Sequence, residues 1–157
     1  MRSGEARPGG PAREQYPPGM PAADAIAEFR RRGEFATGRE GRARWRVRVG
    51  RIPLDVPISR EIEQTLRLHD LHHVATGYST TLAGEAQIAA WELAGGCGRC
   101  YSAWAVNIAS VLIGLVVCPR RMWMAYRRGR LARNLFTARE IPPTVGDLVS
   151  RLGGDGR

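Results

Sequence analysis

Lysine is absent from the 157-residue sequence, so all 24 of its basic residues are arginines. With 15 acidic residues, the formal net charge is +9. A sequence rich in Arg, Ala and Gly but devoid of Lys is typical of GC-rich coding, so the charge alone is weak evidence for a polyanionic partner. Trp45 lies among arginines, but no recognised binding module accompanies the charge. We therefore expect no nucleic-acid binding.

Cysteine is scarce. The three cysteines are Cys97, Cys100 and Cys118, and no secretory signal is recognisable before them. An odd number in a short chain argues against a disulfide framework and predicts a reducing, cytoplasmic compartment. Cys97 and Cys100 form a CxxC pair, but half of a zinc site is disfavoured because no second pair exists and the histidines lie upstream. Gly95 and Gly96 precede the pair, and Gly98 lies within it. They favour a turn between helices.

The length is that of one domain, and the composition divides it into three parts. Residues 1–22 are rich in Pro and Gly, which predicts a disordered arm; acidic residues in this region argue against the alternative of a mitochondrial transit peptide. Residues 23–56 are predicted to form a short helix and an extended segment, because apolar residues and arginines alternate over 45–49 as in one short strand without an obvious partner. Residues 57–153 are predicted to form the main domain. The fold class expected is all-α, a helical bundle.

Two helices are delimited by their caps. Ser59 can accept a hydrogen bond at the start of the first, whose opening turn is acidic, and Gly77 is placed to end it. The second begins near Thr80 or Thr81 and runs to about Leu93. The short GYST loop between them lets the second helix pack antiparallel to the first.

The longest apolar run covers residues 101–118 and contains no charge. A membrane-spanning helix needs about 20 apolar residues, and this run is shorter and interrupted by Asn107 and Ser110, so we expect a buried helix instead. The segment after Pro119 interleaves aromatic residues with arginines, which is typical of a helix on a membrane surface; an ordinary solvated face is the alternative. The predicted lipid contacts are Trp104, Trp123, Tyr126, Arg127 and Arg128.

The residues best suited to chemistry are concentrated in the segment HDLHHVATGYSTTLAGE. His69 and His73 are four residues apart, so on a helix they project from one face, with Asp70 on their flank. Glu85 on the next helix supplies a second carboxylate. Imidazoles and carboxylates are donors that borderline divalent metals prefer. The sequence therefore predicts a metal site formed by His69, Asp70, His73 and Glu85.

Two nearby residues are assigned differently. His72 projects away from the other histidines, which predicts a packing or solvent-exposed residue rather than a ligand. Glu92 lies two helical turns beyond Glu85 on the same face, where it could contact a ligand or act as a base. Zincins and HD-type phosphohydrolases are excluded, because the former need HExxH and the latter need a histidine upstream of His69.

The spacing HD, two residues, H, eleven residues, E resembles the motif of the ubiquinone (coenzyme Q) biosynthesis protein four family. Here His69 and Asp70 form the HD, His73 follows, and Glu85 closes the motif. The segments YRRGRLARNL and TVGDLVSRLG are similar to the C-terminal helices of that family. The likeness covers residues 57–153.

The resemblance implies a helical homodimer that binds a divalent metal, usually zinc, beside a groove for a polyprenyl chain. It also implies a peripheral position on the inner face of the bacterial cell membrane. The implied role is oxidative decarboxylation at C1 of a polyprenylated hydroxybenzoate, or service as a noncatalytic lipid-binding scaffold for other quinone-biosynthesis proteins. Family members usually have a longer helical region before the motif, so a smaller aromatic or quinone-like acid is the alternative substrate.

In the catalytic hypothesis the metal acts as a Lewis acid, with an open position for a carboxylate or phenolate oxygen, and the apolar helix over 104–117 lines the tail site. An oxidative reaction would require iron or manganese in place of zinc unless the activated ring reduces oxygen directly. A closed site with four protein ligands would favour the scaffold.

Overall fold

Helices form most of the chain described by the computed structural model, which covers residues 15–32, 44–49, 52–57, 59–138 and 140–153. The elements are α1 (Ala22–Arg32), β1 (Arg44–Val49), β2 (Ile52–Pro57), α2 (Arg60–Thr76), α3 (Leu82–Gly95), α4 (Tyr101–Val117), α5 (Pro119–Gly129), a 3-10 helix (Leu135–Thr137) and α6 (Val145–Arg151). The predicted all-α class is confirmed.

The caps of α2 and α3 are those predicted from the sequence. The Ser59 hydroxyl accepts a hydrogen bond from the Ile62 N–H at 3.3 Å, and Gly77 ends α2 in the left-handed conformation with φ 73°. The Thr81 hydroxyl accepts from the Gly84 N–H at 3.2 Å at the start of α3. These caps fix where each helix begins, and within each helix residues three or four apart share a face.

The centre of the bundle is α3, which packs on both α4 and α5. Its approach to α5 is close because Gly129 meets the Trp91 backbone, where a Cβ would overlap the Trp91 carbonyl. The helices α1, α2 and α6 complete the core, in which Leu71, Val74 and Leu148 are fully buried. Burial of side chains of this size contributes roughly 1.5–3 kcal/mol each, and this packing holds α2 against its neighbours.

The segment before α1 is packed, so the prediction of a disordered arm over residues 1–22 is wrong for its described part, 15–22. Tyr16 is buried, and the Met20 carbonyl accepts a hydrogen bond from the Val145 N–H at 2.9 Å. A low apolar content misled the prediction, because here one aromatic ring and backbone hydrogen bonds to α6 order the segment. The rest of that arm lies outside the described residues.

The strand predicted over residues 45–49 is present within β1, and it has a partner. The strands β1 and β2 pair antiparallel, with Trp45 opposite Val56 and Val49 opposite Ile52. The sequence obscures this pairing because β2 contains two prolines, and proline is confined to edge strands, which both strands of a two-stranded sheet are. The helix and extended segment predicted over 23–56 correspond to α1 and this hairpin.

The apolar run forms α4, and the prediction that this helix is buried is wrong. Its buried residues are Ala103, Asn107 and Gly114. By contrast, the exposed fractions of Leu112 and Val116 are 62% and 86%. A helix that is apolar all round carries no periodic signal for its packed face, and here only a narrow face meets α3. No helix in the described part of the chain combines the length and hydropathy needed to cross a membrane.

Candidate metal centre

Three of the predicted ligands converge between α2 and α3. The Nε2 atoms of His69 and His73 are 3.1 Å apart. Glu85, in the first turn of α3, places Oε2 3.2 Å from His69 Nε2 and Oε1 3.5 Å from His73 Nε2. For metal–ligand bonds of about 2.0–2.1 Å in a tetrahedron, two donor atoms lie about 3.3 Å apart. The three separations bracket that value, so one ion can bridge these side chains.

The loop before α3 positions Glu85. Gly84 lies against this loop so closely that a Cβ would overlap the Ser79 carbonyl. The same loop supplies the Tyr78 carbonyl, which accepts a hydrogen bond from His73 Nδ1 at 2.9 Å. The short loop thus orients His73 through the Tyr78 carbonyl, and it places Glu85 across the site from the two histidines.

Both histidines present an unprotonated Nε2 to the site when they are neutral. A carbonyl oxygen only accepts, so His73 Nδ1 carries the proton that it shares with Tyr78. His69 Nδ1 likewise donates to the carboxylate of Glu92, at 2.9 Å. Hydrogen bonds of this kind from the outer ring nitrogen set the tautomer and orientation of metal-binding histidines. The ring of His73 is further held by stacking on Phe29, with centroids 5.2 Å apart.

The electrostatics of the cluster favour a cation. Burial opposes the charged form of His69, but the charges and hydrogen bonds of Glu92 and Glu85 outweigh burial and raise the pKa of His69 well above its ordinary value. Burial also opposes ionisation of Glu85, but the adjacent His69 and His73 outweigh burial and lower the pKa of Glu85. Two Nε2 lone pairs at 3.1 Å repel unless a positive charge lies between them. A proton can supply it, and so can a metal ion.

Asp70, the fourth predicted ligand, is not brought into this cluster. It is buried, and its Oδ2 accepts a hydrogen bond from Arg30 Nε on α1 at 2.8 Å. Successive helix residues are about 100° apart, so Asp70 meets α1 while His69 meets α3. The sequence motif gives the spacing of these residues but does not show which neighbouring helix each side chain contacts.

Glu92 contacts His69, one of the candidate ligands, as one of its two predicted roles requires. Its side chain is 1% exposed, and its Oε1 also accepts a hydrogen bond from His72 Nδ1 at 2.7 Å. Burial opposes ionisation, but His69 and His72 together outweigh it and hold the pKa of Glu92 below its ordinary range. A carboxylate held in this way favours orientation of His69 over the alternative role of base.

His72 is fully buried, which excludes the solvent-exposed alternative and agrees with a packing role. Its ring lies near Trp91 and Phe136, with centroids 5.1 and 5.0 Å away. Burial lowers the pKa of His72, with Glu92 opposing this effect. His72 does not belong to the cluster of His69, His73 and Glu85.

Sequence reasoning missed the two asparagines that support Glu92. Asn107 Nδ2 donates to Glu92 Oε2 at 2.7 Å, and Asn134 Nδ2 donates to the Glu92 carbonyl at 3.0 Å. Both asparagines are buried. An isolated amide in the apolar run of α4 was the available signal for Asn107, because buried polar side chains need partners. Asn134 carries no comparable signal.

The CxxC cysteines do not form a metal cluster among the described residues. Cys97 Sγ accepts from Asn107 Nδ2 at 3.5 Å, while Cys100 Sγ lies 2.9 Å from the Thr65 hydroxyl. Gly96 and Gly98 have positive φ of 82° and 54°, so the favoured turn between helices is present.

The predicted lipid-contacting residues lie at the surface of α4 and α5. Trp104, Trp123 and Tyr126 are 37%, 61% and 40% exposed, and the rings of Trp123 and Tyr126 stack with centroids 5.9 Å apart. Arg127 and Arg128 are exposed as well. We call the exposed residues of α4 and α5 the apolar–basic surface.

Comparison with known proteins assigns no family. No family model matches the sequence, and neither the curated proteins nor the solved structures give a significant match. The resemblance to the ubiquinone biosynthesis family therefore stays a prediction.

Proposed function

We propose that this chain is a metal-dependent enzyme whose ion is held by His69, His73 and Glu85. The observation that carries the proposal is the geometry of the three donors, whose separations match those around one ion while the outer nitrogen of each histidine is already hydrogen-bonded. Three protein ligands leave a coordination position open, and such sites are typically catalytic. This count favours an enzyme over the alternative, a noncatalytic lipid-binding scaffold.

Two nitrogens and one carboxylate suit several borderline divalent ions. Zinc is the first choice, with iron or manganese as alternatives. When bound, the ion would supply a Lewis acid that stabilises negative charge on a substrate oxygen. The chain's own contribution is to hold both histidines in one tautomer and to place Glu85 opposite them.

The proposed substrate follows from the resemblance to the ubiquinone biosynthesis family. It is a polyprenylated hydroxybenzoate or a smaller quinone-like acid, oxidatively decarboxylated at C1. In that reaction the bond between C1 and the carboxyl carbon breaks, CO₂ leaves and water supplies the new hydroxyl. Dioxygen accepts the two electrons and becomes hydrogen peroxide. An aromatic acid offers the oxygen donor that an open metal position can accept.

Turnover tests this assignment. Purified protein loaded with Zn²⁺, Fe²⁺ or Mn²⁺ is incubated with a prenylated hydroxybenzoate, and released CO₂ and the hydroxylated ring are measured by mass spectrometry. We expect product from the wild type and none from His73→Ala or from metal-stripped protein. Equal turnover with and without metal would remove the mechanism, while metal binding with no turnover would favour the scaffold.

We further propose that the apolar–basic surface rests on an anionic membrane, as a peripheral protein would on the inner face of the cell membrane. No acidic residue occurs between Glu92 and Glu140, whereas α5 carries four exposed arginines, Arg120, Arg121, Arg127 and Arg128, and the exposed Arg130 and Arg133 follow just after it. Apolar side chains beside clustered arginines suit the boundary between acyl chains and anionic headgroups. A homodimer, which the resemblance implies, would use another surface, because two copies of α5 would oppose like charges.

Vesicle flotation tests the membrane proposal. We expect the chain to float with phosphatidylglycerol-containing vesicles and not with pure phosphatidylcholine, and a Trp123→Ser, Leu112→Ser double variant to stay at the bottom. Both positions are exposed, so the fold should tolerate the changes. Flotation of the variant equal to that of the wild type would contradict the proposal.

A further inference from the structure

A buried polar network surrounds Glu92 and joins four parts of the chain. Its Oε1 accepts from His69 and His72 on α2, and its Oε2 accepts from Asn107 on α4. The remaining ring nitrogen of His72 accepts from the Leu135 N–H of the 3-10 helix at 2.8 Å. Both oxygens of one inaccessible carboxylate are therefore engaged by side chains of separate elements.

The network has one proton arrangement when its histidines are neutral. A backbone N–H only donates, so His72 Nε2 is unprotonated and its Nδ1 carries the proton given to Glu92. An ionised carboxylate only accepts, so the Asn107 amide points its NH₂ group at Oε2. With both oxygens held, the plane of the carboxylate is fixed, and so is the direction from which His69 can donate.

Among these described partners of Glu92, His69 alone reaches the candidate metal centre. His69 turns Nδ1 to Glu92 and Nε2 to His73 and Glu85. A carboxylate bonded to the outer nitrogen of a ligand histidine raises its basicity and fixes its ring. Whatever holds Glu92 thus acts on the metal through His69.

We propose that Asn107 is a positioning residue of the metal centre, acting with His72 through Glu92 to fix the orientation and tautomer of His69. The proposal rests on the proposed metal-binding function. Asn107 touches none of the three ligands by a hydrogen bond and lies on α4, whose other buried residues are Ala103 and Gly114. The other buried residues of α4 are small and apolar, and the Asn107 amide links this helix to Glu92.

Titration with Co²⁺ separates positioning from support of the fold. The affinity and the visible absorption bands of bound Co²⁺ are measured for the wild type, Asn107→Leu, Ser110→Ala and Leu148→Ala. Ser110→Ala controls for a polar change on the same helix. Leu148→Ala controls for loss of stability, because Leu148 is buried in the core on α6 and takes no part in the network. Asn107→Ser replaces the leucine variant if the latter does not fold.

We expect Asn107→Leu to bind Co²⁺ about 10- to 100-fold more weakly, with shifted absorption bands, while both controls keep the wild-type spectrum. Equal affinities and spectra for Asn107→Leu and the wild type would overturn the positioning role. The same change in Leu148→Ala would also overturn it, because general destabilisation would then explain the effect. Failure of the wild type itself to bind Co²⁺ would instead overturn the proposed metal function.

Discussion

Replacing Glu92 with glutamine should destabilise the metal-free protein far more than the same change at Glu85. Both carboxylates contact His69, so the two substitutions form a matched pair. They differ in exposure, since the Glu92 side chain is 1% exposed and that of Glu85 is 29% exposed. Water can hydrogen-bond the groups that lose a partner when Glu85 is replaced, but it cannot reach those around the buried Glu92.

The magnitude follows from the three donors around Glu92. A glutamine amide retains one accepting oxygen but turns an NH₂ group toward a donor, which leaves that donor unsatisfied at a cost of about 1–3 kcal/mol. The remaining hydrogen bonds lose the acceptor's charge. Breaking a buried ionic network in this way typically costs about 3–5 kcal/mol, against a total stability of roughly 5–15 kcal/mol. For Glu85→Gln we expect less than about 1 kcal/mol.

Urea unfolding in EDTA at neutral pH measures the difference. At a slope near 2 kcal/mol per molar urea, Glu92→Gln should lower the midpoint by roughly 2 M with an unchanged slope. Glu85→Gln should lower it by less than about 0.5 M. Equal shifts for the two variants would refute the reasoning, because they would show that the buried network around Glu92 contributes no more than the partly exposed contact between His69 and Glu85.

Two further predictions concern pH and thiol reactivity. Glu85 and Glu92 have lowered pKa values, so their contribution to the free energy of unfolding is present above their ordinary pKa of 4.5 and is lost as the pH falls. The contribution of His69 to the free energy of unfolding is present below its ordinary pKa of 6.5 and is lost as the pH rises toward its raised pKa. In EDTA, the free energy of unfolding should therefore be highest between these values; no decline above 6.5 would contradict this. Burial raises the pKa of Cys97 from 9.0 to about 11. Cys97 should therefore react with Ellman's reagent at least tenfold more slowly than Cys100 and Cys118. Equal rates for the three cysteines would contradict this prediction.

The parts of the fold that the sequence predicts are those governed by neighbours in the chain. Ser59, Gly77 and Thr81 act within one helical turn, so the bounds of α2 and α3 could be predicted. The i, i+4 spacing of His69 and His73 is likewise local. With a short loop before α3, it was enough to bring Glu85 to them.

What the sequence does not predict depends on contacts between distant elements. Asp70 carries a carboxylate that could bind a metal as well as that of Glu85, and only the position of α1 shows that it pairs with Arg30 instead. The exposure of α4 could not be predicted, because polar residues do not recur in its sequence with the helical period. The role of Asn107 needs the crossing of α3 and α4, because its partner Glu92 belongs to another helix.

The metal content of the purified protein tests the central claim most directly. Wild-type protein, His73→Ala and Asp70→Asn are dialysed against Zn²⁺ and then buffer, and bound metal per chain is measured by inductively coupled plasma mass spectrometry. We predict about one ion per chain for the wild type and for Asp70→Asn, and almost none for His73→Ala. Equal metal in His73→Ala and the wild type, or none in the wild type, would contradict the assignment of His69, His73 and Glu85 as the ligands.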